Sequence, residues 1–203
     1  MKTYEVVPKV FLTLEMIADI ILQKDRKRRE KTMRNRQIDY VSFLEGSAPD
    51  DRGRYIEDIL GWNGDWFRLE LCHDYIQRLF PLTEQSGSDR RLRPLAQEEL
   101  SALQKSEKAK ENIRRAYRMM LWFWRLDGEA YRDPSLRRSW VRKSGQDHNM
   151  RRMSRVLKCL KNLEMSEYGD LAMRIAYILE MSDRGSIPIC EETKAEWRSI
   201  LQL

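Results

Sequence analysis

Two histidines, His73 and His148, three cysteines and a scatter of carboxylates are the side chains of this 203-residue sequence that could support nucleophilic, acid-base or metal chemistry. Cys72 and His73 are adjacent, and an imidazole beside a thiol can activate it. Successive residues on a helix point about 100° apart, so a helical Cys72–His73 pair does not face itself. No GxSxG elbow, P-loop or GxGxxG occurs, which leaves acyl transfer and nucleotide phosphate binding without a motif. Zinc needs three or four clustered ligands, and Cys72, Cys159 and Cys190 are far apart with no CxxC. The pairs Glu98–Glu99 and Glu191–Glu192 fall where helices are expected to begin, and there they complement the positive dipole end. The expectation is a protein with no catalytic residues, no metal and no cofactor.

Basic residues form the other chemical feature. The net charge is +6, yet residues 24–36 alone carry +6 and residues 132–158 carry +7, so the rest sums to −7. Such faces suit phosphate, an acidic protein or an anionic membrane, or are simply solvated. Arg137, Arg138, Arg142 and Lys143, with Trp140 among them, are candidate anion contacts that pair backbone phosphates with a stacking ring. No named nucleic-acid motif accompanies them. The odd, dispersed cysteines fit reduced thiols in the cytoplasm or nucleus. The apolar-rich stretch Val10–Leu22 is broken by Glu15 and Asp19 and is too short to span a bilayer, so no transmembrane segment is expected.

The elements that position these groups are helices. Only 9 glycines against 34% charged residues favour helices over turn-rich sheets, and no run alternates with a period of two. An all-α, single compact multi-helix domain of about seven or eight helices is predicted over residues 40–203, preceded at 1–39 by an amphipathic helix with a basic extension. Asp65 is expected to cap a helix whose stripe is Trp66, Leu69, His73, Ile76 and Phe80, closed by Pro81. His73 on that stripe reads as a core or semi-core residue with a hydrogen-bonding partner, or alternatively as a ligand contact. Residues 45–54 and 83–94 read as loops, and Gly61 as a C-cap. Ser106 is placed as the cap of a central helix with Ile113, Tyr117, Met120 and Trp124 inward. Asp133–Pro134 should open a short helix with Leu136 and Trp140. Asp147 should cap one with Met150, Met153, Leu157 and Leu160 inward and Arg151, Arg152, Arg155 and Lys158 mostly elsewhere. Ser166 is expected to cap the next, and Trp197, Ile200 and Leu201 belong to the last.

Four blocks in order, EDILGW, ELCHDYIQRLFPL, RPLAQEELSAL and HNMRRMSRVLKCL, resemble the conserved region of the opioid growth factor receptor family, whose marks are HxYIQWLFP and HNxLRxxRILKCL. The likeness runs from about Tyr40 to Leu163. It carries His73, Tyr75, Ile76, Gln77, Leu79, Phe80 and Pro81 in the first mark, and His148, Asn149, Arg152, Arg155, Leu157, Lys158, Cys159 and Leu160 in the second. Arg78 stands where the family usually has Trp, and Ala96 where a capping Thr or Ser is usual. Vertebrate members add a repeat-bearing tail and are described as nuclear-associated receptors for an enkephalin peptide that restrain growth; this chain is expected to be the bare domain. The resemblance implies a non-enzymatic binding or regulatory domain with a peptide or protein partner, held in a groove between the 66–80 and 147–160 helices. His73, Tyr75, Gln77, Arg78, His148, Asn149, Arg152 and Arg155 are its candidate site. The alternative is a nucleic-acid-associated protein using residues 24–36 and 132–158.

Overall fold

Helix by helix, short-range capping chemistry explains where the chain turns. The computed structural model describes residues 37–128 and 148–203, which lie in one unit, Gln37–Leu203. All the regular structure among these residues is helical. Asp39 accepts bonds from the Ser42 amide (3.1 Å) and hydroxyl (2.8 Å) and starts α1, Tyr40–Leu44. α2, Ile56–Leu60, begins where the Asp58 carboxylate takes the Tyr55 amide at 2.7 Å, and ends at Gly61. That glycine keeps φ −64°, so its value is space: a Cβ would lie 3.2 Å from the Glu57 carbonyl oxygen. Asp65 caps α3, Trp66–Leu71, by accepting from the Arg68 amide. α4, Ile76–Leu79, is a single turn stopped before Pro81.

α5, Gln97–Lys105, lacks a side-chain cap at Ala96, and the Glu99 carboxylate compensates by taking the Ala96 amide at 3.0 Å. Ser106 caps α6, Glu107–Phe123, through the Ala109 amide. Helix α6 is central to its half of the fold, packing against α1, α2 and α5 with Ile113, Tyr117 and Met120 buried and Trp124 buried just past its end. α7, His148–Asn162, packs on α8, Glu167–Asp183, and on α9, Glu191–Leu201. Polar ties join the two sets: Tyr117 donates to Asp170 at 2.6 Å, Arg114 to Glu167 at 3.0 Å and Gln104 to the Asn162 carbonyl at 2.9 Å. The first turns of α5 and α9 do carry Glu98, Glu99, Glu191 and Glu192.

Several expectations need correction. The single helix over 66–80 is two helices, because Cys72 is extended (φ −83°, ψ 119°) and residues 72–75 leave the helix. The stripe breaks with it: Leu69, Ile76 and Phe80 are buried, whereas Trp66 and His73 are exposed. Arg152 faces inward, buried, since α7 supplies donors to that break. Ser166 sits at the α8 N-cap with helical φ/ψ and no capping bond; its hydroxyl donates to Glu167 instead. The N-terminal amphipathic helix, the Asp133 helix and the Asp147 cap fall outside the described residues.

Candidate functional site

Helix α3 ends with carbonyls that no later helical amide reaches, because the chain straightens at Cys72. A helix end of this kind needs outside donors. Arg152, one turn into α7, supplies them: its guanidinium donates to the carbonyls of Leu69 at 2.9 Å, Cys72 at 3.1 Å and Glu70 at 3.4 Å, and to the Asn149 amide oxygen at 3.2 Å. The same guanidinium lies 5.5 Å from the Tyr75 ring centroid and 5.9 Å from that of Phe123, a cation-π sandwich at a site shielded from water. Three residues on, Arg155 donates to the Phe80 carbonyl at 3.0 Å, and three further on Lys158 meets Glu84 at 3.0 Å. Cations at steps of three along α7 therefore hold successive points of the 69–84 chain. Tyr75 is buried, its hydroxyl donating to the Leu69 carbonyl at 3.2 Å, and burial pushes its phenol well above the ordinary range.

The two histidines meet at this joint. Their rings stand edge to face with centroids 5.1 Å apart. His148 Nε2 lies 3.2 Å from Glu70, whose other oxygen accepts from Asn149 at 3.2 Å, and His73 Nδ1 lies 3.4 Å from Arg152. Partial burial, then the Arg152 and His148 charges, hold the His73 pKa below its usual value. Gln77 is buried; with its amide nitrogen facing the His73 and Asp74 carbonyls, its oxygen accepts from the Ser88 hydroxyl at 2.8 Å.

Arg78, 1% exposed, is the most buried charge of the group. Its guanidinium donates to both Asp51 oxygens at 2.5 and 2.6 Å and to the Asp74 carbonyl, with Asp89 at 3.4 Å and Asp50 at 3.6 Å. Burial alone would lower the Arg78 pKa, but Asp51, with Asp74 and Asp50, raises it. A guanidinium that unites two loops and α4 in this way is a structural cation, and Asp50 is in turn held by Arg54 at 2.8 Å.

The structure thus brings together His73, Tyr75, His148, Asn149 and Arg152, and places Gln77, Arg78 and Arg155 along the same chain. Between the two blocks, Arg152, Arg155 and Lys158 bond to the 69–84 chain. Nucleophilic chemistry finds no support in the geometry: burial, and the Asp74 carboxylate 3.5 Å away, raise the Cys72 thiol, and burial pushes Cys159 up to about 12. Among the described residues no group of three or more His, Cys, Asp and Glu could hold a metal ion, and no helix is long and apolar enough to cross a membrane. Arg137, Arg138, Arg142 and Lys143, like residues 24–36, lie outside the described residues.

What the sequence reading missed is an exposed apolar face. Of the six residues of α3 only Leu69 is buried, while Phe67 is 73% and Leu71 71% exposed and Trp66 is half out. Trp66 stacks near Phe67 (5.7 Å) and near the buried Phe123 (6.0 Å) at the end of α6, and Trp122, the residue before Phe123, is 39% exposed. Trp122 also lines a cleft of about 320 Å³, together with Leu60, Asn63, Arg115, Arg118 and Met119. The signal was present in the adjacent aromatics Trp66–Phe67, which cannot both face one core from a helix.

Comparison with known proteins agrees with the signature blocks. The family model described as the opioid growth factor receptor (OGFr) conserved region matches residues 29–184. The opioid growth factor receptor of Rattus norvegicus is 35% identical over 123 residues, 57% of this chain and 21% of the relative. The opioid growth factor receptor-like protein 1 of Xenopus tropicalis is 30% identical over 151 residues, 71% of this chain and 29% of the relative. The Homo sapiens receptor is 34% identical over 123 residues, covering 18% of its length. The matched region spans less than a third of each of these relatives. No solved structure matches. On the family model, the ordered blocks and the joint they build, the chain belongs to the opioid growth factor receptor conserved-region family.

Proposed function

We propose that this domain is a non-enzymatic binding and regulatory module that takes a peptide or protein partner on the face formed by Trp66, Phe67, Leu71 and Trp122. The observation that carries it is the exposure of Phe67 and Leu71 on a helix with one buried residue. Exposed apolar patches mark where soluble proteins bind others, and Trp is over-represented among the residues that dominate such contacts. The signature residues His73, Asn149 and Arg152 support that face from behind by fixing the end of α3, Arg155 holds the Phe80 carbonyl, and none of them is assigned a direct contact. The names of the relatives, receptors and receptor-like proteins, are consistent with partner binding. The free thiols of Cys72, Cys159 and Cys190 are consistent with a cytoplasmic or nuclear setting.

The test is a random peptide selection on the full chain, counter-selected on the Phe67→Ser/Leu71→Ser variant. A consensus retained by the natural sequence and lost by the variant supports the proposal. Equal enrichment on both proteins, or none on either, refutes it.

A further inference from the structure

Binding on this face leaves the chemistry of the partner open, and the cleft beside Trp122 narrows it; the inference rests on that reading. Arg115, Arg118, Met119 and Trp122 share one side of α6 at steps of three and four, facing Leu60 and Asn63 across the cleft. Its floor is apolar, from Leu60 and Met119, both buried, and from the exposed edge of Trp122. Its rim carries two guanidinium groups in different states. Arg115 is held by Glu57 through bonds of 2.5 and 2.8 Å. Arg118 is 67% exposed and meets Glu111 only at 3.6 Å, beyond a hydrogen bond. Helix α6 as a whole carries five basic and two acidic residues. The cleft therefore presents an aromatic edge beside a cation whose fork of donors is mostly open to solvent. That fork matches a carboxylate in geometry and charge, and it repels a basic ligand.

We propose that the cleft docks a short acidic segment of a partner protein, with one apolar side chain seated on Leu60, Met119 and Trp122 and a neighbouring Asp or Glu carboxylate on Arg118. About 320 Å³ is the lower end of the size range of ligand pockets, enough for an anchor side chain and its flank rather than a folded domain.

The experiment measures fluorescence anisotropy of the full chain with three short labelled peptides that share a Leu-Phe anchor and differ in flanks of Asp/Glu, Ser or Lys. The acidic peptide should bind tightest, and its affinity should fall as salt rises toward about 0.5 M. Arg118→Glu should weaken it roughly threefold to tenfold and favour the Lys peptide, while Trp122→Ala should weaken all three. If the Ser peptide binds as well as the acidic one and Arg118→Glu changes nothing, the charge assignment is wrong although the binding reading stands. If no peptide binds and the Phe67→Ser/Leu71→Ser counter-selection also fails, the binding reading itself is wrong. A single-stranded oligonucleotide that binds and is lost with Arg118→Glu, or a dimer in sedimentation that Trp122→Ala dissolves, would give the cleft to another occupant and overturn the proposal.

Discussion

Replacing Arg78 is the sharpest perturbation of the fold that the geometry offers. In Arg78→Leu the stem volume is roughly kept but the guanidinium goes, leaving Asp51 without its two bonds and Asp50 and Asp89 without their nearest shared cation. Breaking a buried pair by removing one partner costs about 3–5 kcal/mol. The low end applies here, since Asp51 is 20% exposed and Asp50 keeps Arg54 and the Arg52 and Arg54 amides. A loss of about 3 kcal/mol lowers the melting temperature by roughly 6–12 °C for a domain of this size. Arg78→Trp, which restores the family's usual residue, should cost at least as much, because the aspartates around it have no counterpart need for an indole.

The pH dependence gives a second readout of the same variant. Burial would raise the Asp74 carboxyl, yet Arg54 and then Arg78 hold it below the usual range. A carboxyl depressed on folding contributes stability that is complete above its unfolded value, about 3.9, and is lost as the pH falls through the folded value. Removing Arg78 weakens that depression, so the variant has less to lose in acid. Urea denaturation followed by tryptophan fluorescence should show a deficit of about 3 kcal/mol at pH 7 that holds down to about pH 4 and narrows only below it, as the carboxylates protonate. A deficit under about 1 kcal/mol at pH 7, or one that does not narrow below about pH 4, would show that Arg78 is not the cation holding these aspartates.

Arg152→Met should destabilise by about 3 kcal/mol, because the Glu70 and Cys72 carbonyls lose their guanidinium donor and the Leu69 carbonyl keeps only the Tyr75 hydroxyl; amide exchange at residues 69–75 should rise more than in α6, and uniform exchange would contradict it. His73, with its folded pKa lowered, contributes stability that is present above about 6.5 and lost as the pH falls through the lower folded value; the melting temperature should drop over that window and His73→Gln should flatten the slope, so an unchanged slope excludes the histidine. Cys159, fully buried with its thiol pushed up to about 12, should react with a thiol reagent only on unfolding, while the half-buried Cys72 and Cys190 react in the native protein; three equal rates would show that the α7 packing is wrong.

Legibility followed the range of the forces involved. The caps Asp65 and Ser106 and the stripe Ile113, Tyr117, Met120 and Trp124 are set by neighbours within a few residues, and they read correctly. The break at Cys72–Tyr75 did not, because its cause is Arg152, 80 residues away along the chain from Cys72. The five-residue α1 is too short for a periodic stripe, and its only local signal was the Asp39–Ser42 cap. The family blocks located the joint, and the reading of His73 as a residue with a hydrogen-bonding partner fits its place beside Arg152; which partners the other signature side chains take, Arg152 and Arg155 on backbone carbonyls and His148 and Asn149 on Glu70, needed the three-dimensional structure. Arg78 read as a departure from the family pattern and a candidate contact, and only the convergence of Asp50, Asp51 and Asp89 from two loops explains its burial.

If the signature residues hold α3 while its outer face meets the partner, stability and binding are lost by different substitutions. Measuring melting temperature and peptide binding in parallel on Asn149→Ala and on Phe67→Ser/Leu71→Ser tests it most directly. Asn149→Ala should melt lower, losing its bonds to Glu70 and Arg152, and still bind selected peptide well below its melting temperature. Phe67→Ser/Leu71→Ser should melt within roughly 2 °C of the natural sequence and lose binding. The reverse pattern, binding lost with Asn149→Ala at unchanged stability and kept with the α3 variant, would contradict it.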